Sequence, residues 1–242
     1  MTRRTGFVSK TAGLALKDLR IERRAKDTLP PMLAFTLCVT LLLTFALPAP
    51  SGIEGSVDVG VGSVRIADVL AGFLWVTVLF AGLIAFARTF EVEREEAALD
   101  SMLLLPVDRS ALFLGKALAN LVFVVGVEVL LIPAFVLLFS LPLEGGVGLL
   151  VLIALMVDVG FVALGTLFAA LAARTRSREL LLPVLALPSL VPVFIAAVEL
   201  TSDLFAGQGL EAVTARGWFG ILIAFDVIIG VIAALGFEYA ID

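Results

Sequence analysis

The chain has 242 residues, of which 61% are hydrophobic and 16% charged, with a net charge of −5 and no histidine. Ordinary globular domains carry about 25% charged residues, so a mean hydropathy of +1.13 argues against a water-soluble fold or a nucleic-acid-binding module and for an all-α integral membrane protein. A single cysteine, Cys38, excludes an intrachain disulfide or CxxC pair. With histidine absent, zinc or haem-iron ligation by this chain alone is not expected, so no bound cofactor is assigned to it.

In chain order, residues 1–30 form a basic leader containing Arg3, Arg4, Lys10, Lys17, Arg20, Arg23, Arg24 and Lys26. A helix over 9–27 gathers Ala12, Ala15, Leu16 and Leu19 on one face, with Leu14 and Ile21 opposite. Such a helix fits the headgroup layer of a bilayer, or a solvated leader that sets topology. The first apolar run, 31–47, starts at Pro30 and Pro31 and stops before Pro48 and Pro50. Its long basic approach and poor cleavage site make it an uncleaved anchor. Cys38 is expected there as a small packing residue. The stretch 48–66 is rich in Gly and Val with weak alternation, and reads as a short hairpin or as irregular.

After a second run at 68–88, the segment 89–116 turns charged. If 92–105 is helical, Val92, Leu99, Met102 and Leu103 share one face, while Glu93, Glu96 and Asp100 project elsewhere. Pro106 ends that helix, and Asp108 is placed to cap the next one, which runs through Leu112 and Lys116 into a third span at 117–141. The segment reads as a docking helix for a soluble partner or as a solvated loop. Gly115 and Lys116 imitate part of a phosphate loop, but position 110 is Ser and Ala117 stands where Ser or Thr is needed. Any ATPase must therefore be a separate polypeptide.

The remaining runs lie at 147–173, 180–200 and 217–237, giving six spans near the length a hydrocarbon core requires. Three acids fall inside them: Glu128, Asp158 and Asp226. Each must face protein or water, and each is a candidate for translocation or gating or for polar glue between helices. Asp158 shares its stripe with Ala154, Gly165, Ala169 and Ala173, and Asp226 with Gly230 and Ala233, small residues that mark close helix contacts. The fifth span carries Pro183, Pro188 and Pro192, which predict a bent helix packed against protein, static or able to move, with Glu199 near its outer end. Lys and Arg number eight before the first span, four between spans two and three, and three at 174–178, against Arg65 and Arg216 on the other side. That asymmetry puts both termini in the cytoplasm. No repeat relates the two halves, which disfavours an inverted-repeat carrier.

Several stretches carry a family resemblance: KDLRIERR, then GFLWVTVLFAGLIAFARTFEVEREEAALDSMLLLPVDRSALFLGKALAN, then GFVALGTLFAALAARTRSRELLLPVLALPSLVPVFIAAVE, and AFDVIIGVIAALGFEYAID. In this order they resemble CcmB, the permease subunit of the cytochrome c maturation haem exporter, over nearly the whole chain apart from 48–66 and 201–216. The resemblance implies a single permease domain over 1–242 with the type-2 ABC exporter fold. It implies two copies per complex in a prokaryotic plasma membrane, working with a separate CcmA-like ATP-binding subunit and with CcmC-like and CcmD-like membrane subunits. ATP is then bound by the partner, and haem is the cargo. It places a coupling helix around Glu96, Leu99, Asp100, Leu103 and Pro106, although Ala97 stands where the family pattern has glycine. Two other readings of the residues remain: a permease of the same fold for lipid, drug or metal-centre assembly cargo, and a proton-coupled carrier or intramembrane enzyme built on the three acids.

Overall fold

Backbone polar groups in lipid must be satisfied within the segment itself, so apolar runs of this length fold as helices. The computed structural model describes residues 7–47, 56–58, 63–91, 109–141, 146–173, 175 and 178–240. The elements are α1 (Phe7–Ala25), α2 (Leu29–Ala46), strands β1 (Ser56–Asp58) and β2 (Ser63–Arg65), α3 (Ile66–Arg88), α4 (Arg109–Leu138), α5 (Val147–Ala173), α6 (Arg178–Phe205), α7 (Leu210–Ala215) and α8 (Trp218–Ala240). Among the described residues five helices, α2 to α6, are long and apolar enough to cross a membrane, and α8 adds a shorter apolar stretch, Trp218–Ala233. The 48–66 stretch holds a hairpin: β1 and β2 pair antiparallel with Val57 opposite Val64.

α5 packs against α3, α4, α6 and α8. Its contact with α3 is reciprocal. The Phe86 ring of α3 occupies the space a side chain at Gly165 of α5 would need, and the Phe161 ring of α5 does the same at Gly82 of α3. The two rings meet edge to face at 4.9 Å, and Phe161 meets Phe194 of α6 at 5.2 Å. Small residues opposite aromatic ones bring backbones close, which is how helices gain packing energy where lipid offers no hydrophobic contrast.

The outward faces are apolar, as a lipid-exposed surface must be: Leu37, Leu41, Leu42 and Phe45 on α2, and Val227, Ile228, Val231 and Ile232 on α8. Cys38 lies on that exposed side of α2 and not in a packed contact, because Met32, Thr36, Thr40 and Leu43 are the residues α2 turns inward. The helix expected to run through Leu112 and Lys116 into the third apolar run is present. α4 is helical from Arg109, and its polar first turns are stabilised by α1.

Candidate functional site

Polar side chains collect in three places: the end of the bundle that carries α1, the middle, and the end that carries the hairpin. At the α1 end, Lys116 of α4 is buried, and its Nζ lies 3.0 Å from Asp18 of α1 and donates to the Thr89 carbonyl at 2.9 Å. The Phe90 ring covers it at 5.3 Å. Thr89 donates to Asn120 Oδ1, and Asn120 donates to Thr166 of α5 at 2.9 Å. One chain of contacts therefore joins α1, α4, the end of α3 and α5.

Glu22 is buried and accepts from the Thr28 and Leu29 amides at 2.7–3.0 Å. Those are amides that the start of α2 leaves free, so Glu22 caps the next helix from the one before. The chain turns between the two at Lys26, whose φ of 58° ends α1 in the left-handed region. Gly115 lets α1 approach: a Cβ there would sit 2.7 Å from the Leu14 Cβ and 3.3 Å from the Thr11 carbonyl. The Gly-Lys pair that imitates a phosphate loop is thus a helix-docking contact. A cavity of about 160 Å³ remains between α1, α3 and α4, lined by Asp18, Glu22, Arg88, Thr89, Lys116 and Asn120.

The face of α1 turned inward also differs from the one its hydrophobic spacing predicts. Thr11, Ala15 and Glu22 are buried, whereas Ala12 and Leu16 are exposed. Charge and close packing against Gly115 decide the rotation here, not apolar count.

In the middle layer the structure brings together two of the three acids predicted inside the spans. Glu128 of α4 and Asp158 of α5 are 4% and 0% exposed and lie within each other's electrostatic reach. Glu128 Oε1 and both Asp158 oxygens find no hydrogen-bond partner among the described residues. Asp226 of α8 stands apart and half-buried, its Oδ1 2.5 Å from where a Cβ on Gly160 of α5 would be. The small residue against it is thus Gly160, since Gly230 faces open space.

Pro183, Pro188 and Pro192 all lie inside the continuous helix α6. Pro188 and Pro192 are exposed and Pro183 is half-buried. The helix packs against protein as expected, on α3, α5 and α8, with Ala186, Leu190, Val193 and Ala197 forming its buried side and the prolines off it. Pro188 borders an apolar recess of about 630 Å³ between α3 and α6, with Leu79, Leu190, Phe194, Val198 and Glu199.

At the hairpin end, Asp203 at the close of α6 is fully buried between Arg65 at 3.6 Å and Arg216 at 3.3 Å. Arg65 also holds Asp68 at 2.7 Å, Ser202 donates to Asp68, and Arg216 reaches Glu199 at 3.2 Å. Trp75 donates its indole N–H to Thr201 at 2.9 Å. The C-terminal end of α6 is therefore fixed to the start of α3 and to the link before α8. Asp18 and Asp203 escape sequence reading because their partners are distant in the chain, and Glu22 because it caps a helix whose N-cap, Thr28, lies six residues after it. The coupling residues Glu96, Leu99, Asp100, Leu103 and Pro106, with Asp108, lie outside the described residues.

Residues 10–242 match the family described as CcmB protein. The chain belongs to the CcmB family. Its relatives include Heme exporter protein B of Rhodobacter capsulatus, 32% identical over 82% of this chain and 85% of the relative. Heme exporter protein B of Paracoccus denitrificans is 32% identical over 77% and 79%, and that of Pseudomonas aeruginosa 28% identical over 75% of each. The polar contacts at both ends of the bundle, and the three acids, all fall within the span matched to CcmB.

Proposed function

We propose that this chain is the membrane permease subunit of a haem-exporting ABC transporter that serves c-type cytochrome maturation. The observation that carries this is the CcmB match over 10–242, joined to relatives named Heme exporter protein B that align over three quarters or more of their length. A bundle of long apolar helices with no phosphate loop in its sequence supports a transporter subunit over an enzyme.

In this reading α8 is the sixth span and both termini are cytoplasmic, as the distribution of Lys and Arg requires. The α1 end is then the cytoplasmic end. A separate ATP-binding subunit docks on the segment 93–106, immediately before α4. Two copies of the chain assemble in a prokaryotic plasma membrane with further haem-handling membrane subunits. Haem is cargo: with no histidine and with Cys38 on the outward side of α2, axial ligation of its iron falls to a partner. Glu128 and Asp158, closed inside the chain, join α4 to α5 and gate the bundle instead of lining a path, and the recess beside Pro188 is the surface offered to cargo or to the second copy.

The test is co-purification of the tagged chain from its native membrane with an assay of vanadate-sensitive ATPase activity. An ATP-binding subunit should co-purify, and Leu99→Glu and Asp100→Lys should each release it. Deletion should abolish c-type cytochromes and spare b-type haem proteins. A chain that purifies alone, or a deletion that leaves c-type cytochromes intact, overturns the proposal.

A further inference from the structure

The acids of α1 are spent internally. Asp18 faces Lys116 and Lys17, and Glu22 caps α2. What α1 turns outward is a stripe at four-residue spacing, Val8, Ala12, Leu16, Arg20 and Arg24, all exposed, with Phe7 and Arg23 beside it. No acid interrupts it. The first half is apolar, with Val8 77% and Leu16 50% exposed, and the second half is cationic.

The depth of this face follows from its neighbours. α1 joins α2 through the short turn at 26–28, so it stays at the rim of a span. α4 has 30 residues, ~45 Å of helix against a hydrocarbon core of ~30 Å, and α1 packs on its first turns, at Gly115 and Lys116. An exposed helix at that level presents apolar side chains to acyl chains and guanidinium groups to phosphates.

We propose that the outward face of α1 binds anionic phospholipid headgroups of the leaflet at its end of the bundle, with Arg20, Arg23 and Arg24 as the headgroup contacts and Phe7, Val8 and Leu16 as the inserted anchor. Charge complementarity selects the occupant: a zwitterionic surface returns no net attraction to three unneutralised arginines, whereas an anionic one does. The contact is independent of the cargo.

The test uses the full chain carrying Cys38→Ser and Val8→Cys, labelled with bimane at position 8, in nanodiscs of phosphatidylcholine containing phosphatidylglycerol. Brominated phosphatidylglycerol should quench the probe more strongly than the same fraction of brominated phosphatidylcholine. Arg20→Gln/Arg23→Gln/Arg24→Gln should weaken the apparent association with the anionic lipid about tenfold or more, and the corresponding triple Lys variant should retain it. Equal quenching by the two lipids overturns the proposal, as does loss of selectivity in the Lys variant. Quenching by aqueous iodide and by neither lipid also overturns it, since the face then lies in water.

Discussion

Removing the two arginines around Asp203 should destabilise the protein far more than removing Asp203 itself. Asp203 is 0% exposed, whereas Arg65 and Arg216 are 41% and 47% exposed. Neither Asp203 oxygen has a hydrogen-bond partner among the described residues, so the two ion pairs carry its compensation. Arg65→Ala/Arg216→Ala strands a buried carboxylate, which costs about 3–5 kcal/mol. Asp203→Ala leaves two half-exposed guanidinium groups that still reach water, Asp68 and Glu199, and costs about 1 kcal/mol. For a chain of this size about 2–4 °C accompanies each kcal/mol, so roughly 6–20 °C is expected for the double variant and about 2–4 °C for the single one. Thermal unfolding in detergent, followed by tryptophan fluorescence, measures both, because Trp75 bonds Thr201 two residues from Asp203. Adding Asp203→Asn to the double variant should recover most of the loss. If Asp203→Ala proves as damaging as the double arginine variant, the buried-charge argument is wrong.

Other substitutions separate contacts that look alike in sequence. Gly160→Ala drives a methyl into Asp226 and the Phe225 ring and should lower stability by about 1–3 kcal/mol. Gly230→Ala meets open space and should be neutral or raise stability by about 0.5–1 kcal/mol through helix propensity, so melting temperatures of the pair should move apart. Glu22→Ala frees the Thr28 and Leu29 amides at about 1–2 kcal/mol and should speed tryptic cleavage at Arg23, Arg24 and Lys26, with Glu22→Gln intermediate. Lys116→Met keeps bulk but removes the ties to Asp18 and Thr89. It should leave the ATP-binding subunit attached and export impaired, and unchanged export in a folded Lys116→Met variant would remove Lys116 from the transmission route.

Apolar runs located the spans to within a few residues wherever apolar character and helix coincide, as at α5, read as 147–173 and found as Val147–Ala173. They separate at α4. Its first turns contain Arg109, Ser110 and Lys116, which hydropathy alone leaves out of the span; the cap expected at Asp108 puts them in the helix, while their hold on α1, through Asp18 on Lys116 and the fit at Gly115, shows only in the fold. The rotation of α1 was hidden for the same reason. A count of apolar positions favours Ala12 and Leu16, but the fold turns inward the two acids that have partners, and those partners lie in α4 and at the start of α2. Arg65 and Arg216 showed the same blindness. As entries in a charge asymmetry they indicate a side of the membrane, whereas their shared carboxylate, Asp203, becomes visible only when α3, α6 and the link before α8 meet.

The distribution of these contacts bears on where the bundle can yield. Both ends are tied by charge-assisted bonds between helices: Lys116 with Asp18 and the Thr89 carbonyl at one, Asp203 with its two arginines at the other. Between them, α4 meets α5 through the buried carboxyl groups of Glu128 and Asp158, which face each other and no other donor among the described residues, and α5 meets α8 through a glycine against Asp226. Two carboxyl groups this close are held together through a proton shared between them, whereas an ion pair holds with both groups charged. A displacement of the start of α4 is therefore resisted at Lys116 and passed on to α1, α3 and α5, and at mid-depth the α4–α5 seam holds through the carboxyl pair. The three prolines of α6, at positions 183, 188 and 192, all precede its Asp203 anchor, so any bend they allow lies before a fixed C-terminal end.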